Sequence, residues 1–139
     1  MHEQLQARWT EIGDKIVLLA REFPEDKYDV APAQGSRTFA EQLRHVAFWN
    51  EYTAKALKQE NPDGGANEIP RSAAPTKARV IDAVERSFQG VAKQLTRMNG
   101  STDAAAADTV VSFIEHNGEH YGQLVLYCRL NGIVPPASR

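Results

Sequence analysis

The stretch IDAVERSFQGVAKQLTRM, residues 81–98, sets apolar side chains at Ile81, Val84, Phe88, Val91, Leu95 and Met98. These steps of three and four residues follow the turn of an α-helix with one buried stripe, and no strand alternates this way. Asn99-Gly100 ends the run with residues at ease in left-handed backbone, and Pro75 suits its first turn. One stripe buries nothing by itself, so further helices have to cover it.

The rest of the chain supplies them. Leu5, Trp9, Ile12, Ile16, Leu19 and Phe23 repeat the pattern in a first helix that stops at Pro24. Thr38 and Glu41 have the spacing of a capping box, opening a second helix that runs to about Gln59 with Phe39, Leu43, Val46 and Leu57 on its main stripe. A fourth begins between Thr102 and Asp108 and reaches Asn131-Gly132, where Pro135 and Pro136 forbid continuation; its stripe is Val110, Ile114, Tyr121, Leu124 and Cys128. Four amphipathic helices without a credible strand predict an all-α four-helix bundle, a single domain over residues 1–139. The Pro24–Arg37 connection is long enough to cross a bundle end, and Asn61–Ala74, rich in Gly and Pro, reads as an exposed loop.

Composition narrows the function. Sixteen basic and eighteen acidic residues give a net charge of −2 with no block of one sign, which argues against nucleic acid or an anionic membrane as partner. The single cysteine, Cys128, cannot form an internal disulfide, excludes a multi-cysteine zinc site and suits a reducing cytoplasm. Met1 to Arg8 is polar, unlike a signal peptide, and no run approaches the ~18 apolar residues that span a bilayer. The expected location is cytoplasmic.

Chemistry points to three histidines. His116 and His120 lie four residues apart, so one helix face can offer both ring nitrogens to a single ion, and His45 on the second helix can supply a third. Three imidazoles leave coordination positions free for water or substrate. At about 100° per residue, His120 falls about 80° and His116 about 120° to one side of the fourth helix's stripe, and His45 about 120° from that of the second. All three therefore stand on shoulders, where a side chain can face a cleft. Trp49 and Tyr52 share the shoulder of His45 and Gln123 that of His120, which makes them candidate pocket-lining residues. Gly118 and Gly122 each cost a helix about 1 kcal/mol relative to alanine, and close approach of a neighbouring helix is their expected reason.

Other candidates have plainer explanations. Glu41 belongs to the capping box. Glu119 makes residues 116–120 read His-Asn-Gly-Glu-His, formally an inverted zinc-peptidase motif, but that architecture needs a ligand set and cleft of another kind. Cys128 lies on the core stripe and reads as buried filler. His2 is terminal and has no evident partner. No catalytic acid or base can be named.

The segment HNGEHYGQLVLYCRLNGIVPP, residues 116–136, together with the lone histidine in TFAEQLRHVAFWNEY, residues 38–52, resembles the DinB-like superfamily of bacterial four-helix bundles. This is the damage-inducible family, distinct from the DNA polymerase that shares its name. The resemblance runs from the first helix to Pro136. It implies that His45, His116 and His120 ligate a divalent transition metal, for which imidazole chemistry admits Zn, Ni or Fe. It further implies a metal-dependent enzyme, either a transferase using a low-molecular-weight thiol or a hydrolase acting on a small molecule, and a homodimer. The chain lacks the added C-terminal domain of the mycothiol-dependent isomerases, which argues against that reaction. The alternative is a non-catalytic metal or small-ligand binding module.

Overall fold

The structure is a computed structural model describing residues 1–139. Four long helices, α1 (His2–Glu22), α2 (Phe39–Leu57), α3 (Lys77–Met98) and α4 (Ala104–Leu130), account for most of the chain, with short 3-10 turns at Glu25–Lys27 and Pro136–Ser138. Both α1 and α2 pack against α3 and α4, so the order around the bundle is α1, α3, α2, α4. This is the all-α four-helix bundle that the stripes predict. No helix is long and apolar enough to cross a membrane.

Local chemistry sets the helix ends. At the start of α2 the Glu41 N–H donates to Thr38 Oγ1 (3.1 Å) and the Thr38 N–H to Glu41 Oε2 (2.8 Å), the expected capping box. Asp103 caps α4 by accepting the Ala106 N–H at 2.8 Å. Asn99, at φ 44°, closes α3 in the left-handed conformation. Pro75 falls outside α3, contrary to expectation: Thr76 is the cap, accepting the Arg79 N–H at 3.3 Å. A side-chain acceptor there satisfies a free helix donor, which proline cannot do.

The stripes meet in one core. Trp9, Ile16, Leu19, Leu43, Val46, Val84, Val91, Leu95 and Leu124 are all buried. The first turn of α3 enters this core through Val80, while Ile81 is only partly covered. In α4, Val110, Leu124 and Cys128 are buried as expected, with Ile114 and Tyr121 at the margin. Tyr127 is buried as well.

Two expectations are overturned. A Cβ at Gly118 or Gly122 would meet nothing within 4 Å, so no helix of this chain packs against them. Each lies two residues from His120, about 200° around the helix, and the inward turn of His120 therefore sends both outward. His2, expected to lack a partner, places Nδ1 2.5 Å from Thr102 Oγ1.

Candidate metal centre

The centre lies on the seam between α2 and α4. Its phase on α2 follows from the capping box, which fixes where the first turn begins and hence the direction of Gln42 and His45. On α4, Asn117 and His120 turn inward and are buried, while His116 is half-buried at the margin. The three imidazoles converge. Ring centroids of His45 and His116 both lie 4.5 Å from that of His120. One ring nitrogen from each histidine lies within 4.8 Å of the other two.

The closest approach is between His45 Nε2 and His116 Nε2, at 3.1 Å. Imidazole nitrogens about 2.0–2.1 Å from one zinc ion sit about 2.9 Å apart at a right angle and about 3.3 Å apart at a tetrahedral one. The observed distance falls between these limits, so the pair fits a shared ion. The third ring, against both, completes the set.

Burial keeps the rings neutral. It lowers the His116 pKa from the ordinary 6.5 to about 4, and the neighbouring His45 and the Arg37 guanidinium press in the same direction. His120 is likewise held at about 4, by burial first and then by the two other histidines and Arg37. His45 is lowered by burial and by Arg37, against the opposing pull of its bond to Asn67. Near pH 7 each ring therefore has a lone pair to offer, the form that ligates a metal.

Oxygen acceptors orient two of the rings. His45 donates from Nδ1 to the Asn67 carbonyl at 2.7 Å, which leaves Nε2 as its lone-pair atom. His120 donates from Nδ1 to Gln42 Oε1, also at 2.7 Å, and so exposes Nε2 too. The Gln42 amide donates in turn to Tyr127 Oη (3.4 Å), whose hydroxyl donates to the Arg37 carbonyl (2.5 Å). Such outer partners set ring direction and basicity in metal sites.

The Asn61–Ala74 segment is no free loop. Asn67 adopts φ 60°, and besides its carbonyl bond to His45 its Oδ1 accepts the Trp49 indole N–H at 2.8 Å. A Cβ on Gly64 would come within 2.8 Å of the Trp49 ring, and Ala74 is fully buried. The loop is thus held against α2 by contacts that only the folded chain reveals.

The pocket candidates separate. Trp49 stands beside His45 and His116, with ring centroids at 6.4 and 6.3 Å. Tyr52 lies one step further out, against Trp49 (4.9 Å) and Phe113 (6.0 Å). Phe113, absent from the sequence-level candidates, extends this aromatic wall to His116 at 5.8 Å. Gln123 is exposed, with its amide close enough to His120 to favour protonation of that ring. Glu119 is exposed too, and Cys128 is buried with its thiol pushed up to about 11 by burial. Gln42 and Asn67 are the supports that the sequence reading missed. Gln42 alone had a legible signal, a polar residue one turn before His45 on the same face.

The family model of the DinB superfamily matches residues 8–124, from α1 through all three histidines. No curated protein matches the chain.

Proposed function

The chain belongs to the DinB superfamily, and from that premise we propose that His45, His116 and His120 hold a divalent transition metal (Zn, Ni or Fe) in an open site, serving a metal-dependent thiol transferase or hydrolase. The observation that carries this reading is the convergence of three neutral rings from two helices, two of them aimed by oxygen acceptors on Nδ1. Once bound, the ion supplies Lewis acidity to a small-molecule thiol, ester or amide. The protein's part is to keep the rings unprotonated, to fix them through Gln42 and Asn67, and to wall one side with Trp49 and Phe113. A homodimer, a thiol partner and a cytoplasmic setting follow from the resemblance and composition and belong to the same proposal.

A second reading, a binding module without turnover, draws support from the acidic candidates. Glu41 is occupied in the capping box and Glu119 faces solvent, so neither stands ready as general base.

Elemental analysis of untagged, dialysed protein tests the site: about one equivalent of transition metal is expected in the parent and a small fraction of that in His45→Ala. Far less than one equivalent in the parent sinks the metal reading, and an unchanged content in His45→Ala removes His45 as a ligand. A screen of low-molecular-weight thiols with electrophilic acceptors, and of esters and amides, separates the two functions. Metal-dependent turnover supports the enzyme, and its absence on all of them favours the module.

A further inference from the structure

Arg44 carries a charge that nothing beside it answers. The residue is 3% exposed, yet it belongs to none of the chain's ion pairs. Its one hydrogen bond runs from Nε to the Ala74 carbonyl at 3.0 Å, which leaves both terminal amino groups without a protein partner. The sealed, unpaired side-chain atoms of the chain belong to His116 and Asn117, so the amino groups of Arg44 reach open space. A buried arginine is ordinarily paired, because taking a bare charge out of water is strongly unfavourable.

Arg44 lines a cavity of about 120 Å³, bounded by α2, the turn after α1 and the start of α3. That is several times the ~30 Å³ share of one water. The start of α3 gives the cavity a sign. A helix presents the positive end of its dipole there and ordinarily favours acidic residues, but this first turn has none and holds Lys77 and Arg79 instead. Thr76 takes the N–H groups of Arg79 and Val80, and those of Lys77 and Ala78 keep no acceptor. Lys77 also lines the cavity; its Nζ donates to the Arg21 and Phe23 carbonyls at 2.7 and 2.8 Å, which hold the ammonium without neutralising it. Two carboxylates share the lining. Asp29 is drawn to Arg71 at 3.0 Å, and Glu25 is exposed and in no ion pair. Arg44, Lys77 and the helix end therefore outweigh the one carboxylate that is free.

We propose that this cavity is an anion site, taking a small oxyanion such as inorganic phosphate or sulfate between the Arg44 guanidinium and the free amides at the start of α3. The planar fork of a guanidinium suits two oxygens of such an ion, and a helix N-terminus adds donors already pointing outward. The site is distinct from the histidine centre, since Arg44 and His45 project about 100° apart on α2. It shares a loop with that centre, because the Arg44 carbonyl accepts the Ile69 N–H at 3.4 Å while its side chain holds Ala74.

NMR of the parent protein, titrated with sodium phosphate or sodium sulfate and with sodium chloride at equal ionic strength, tests the site. Saturable shifts at the Lys77 and Ala78 amides and at Arg44 Nε–H are expected with the oxyanions and not with chloride, and saturation by either oxyanion supports the site. Arg44→Met, which keeps an apolar stem in the buried position, is expected to bind phosphate at least about 10-fold more weakly. Glu25→Gln is expected to bind it more tightly and, without the oxyanion, to keep the parent's urea midpoint. Shifts that follow ionic strength alone, or that fall away from the start of α3, overturn the proposal, as does phosphate affinity in folded Arg44→Met equal to that of the parent. A lowered urea midpoint in anion-free Glu25→Gln overturns it too, because Glu25 is then the counter-charge of Arg44 across the cavity. Should Arg44→Met fail to fold, the titration of the parent and Glu25→Gln decide.

Discussion

The α1–α3 seam and the α2–α4 seam are both buried, yet they are built from opposite chemistry. In the first, Trp9 lies over Phe88 with ring centroids 5.3 Å apart and donates its indole N–H to the Phe88 carbonyl at 3.0 Å. Ile16, Leu19, Val84 and Val91 continue it with no exposed surface. In the second, Gln42, His45, Asn50, Asn117 and His120 are buried side by side. Apolar packing is non-directional and tolerates small shifts. Polar groups out of water must each find a partner at a set angle. The difference teaches a division of labour: the apolar seam supplies stability, and the polar seam converts that stability into fixed directions for three imidazoles.

The largest test strikes the apolar seam. Trp9→Ala should cost about 3–5 kcal/mol in urea unfolding, while the protein that remains folded keeps the parent's metal content. Equal loss of metal and stability would show that the seams are not separable.

The next test concerns protons. The histidine pKa values are depressed, two of them from 6.5 to about 4, so between those values the folded chain binds fewer protons than the unfolded one. The contribution of these rings to metal-free stability is thus complete above about pH 6.5 and is lost as pH falls through that window to about 4. Urea midpoints across pH 7 to 4.5 should fall more steeply in the parent than in a His116→Ala, His120→Ala double variant. Identical slopes would remove the rings as the cause.

Glycines give the finest comparison. A Cβ at Gly13, on the apolar seam, would come within 2.9 Å of the Phe88 ring, so Gly13→Ala should destabilise by about 1–3 kcal/mol despite alanine's better helix propensity. At Gly118 or Gly122 the space is open, and alanine should stabilise the chain by about 0.5–1 kcal/mol. Thermal melts of the single variants check both signs, and a gain at Gly13 would mean that Phe88 moves aside cheaply.

The helices were legible because each repeats one signal over five or six turns. Val80 in place of Ile81 shows the limit: a stripe's phase is least constrained in the first turn, where few residues vote. Angle counting places His45 and His120 on shoulders beside their stripes, and the folded chain turns both further inward, to burial; the same counting applied to Gly118 and Gly122 sends them to solvent. The supports divide by origin. Gln42 lies in helical phase with His45 and could be read, whereas Asn67 acts through a main-chain carbonyl in a left-handed loop residue, which no side-chain pattern announces.

That main-chain acceptor has a consequence for how the protein can change. His45 is aimed by a carbonyl that every residue possesses, so for the direction of that ring position 67 must preserve only a backbone shape, while its Oδ1 separately holds Trp49. Asparagine and glycine meet that demand at φ 60°, and a β-branched residue does not. The loop around it can therefore drift in sequence and alter what approaches the open side of the centre, while the direction of the ring beneath it stays inherited.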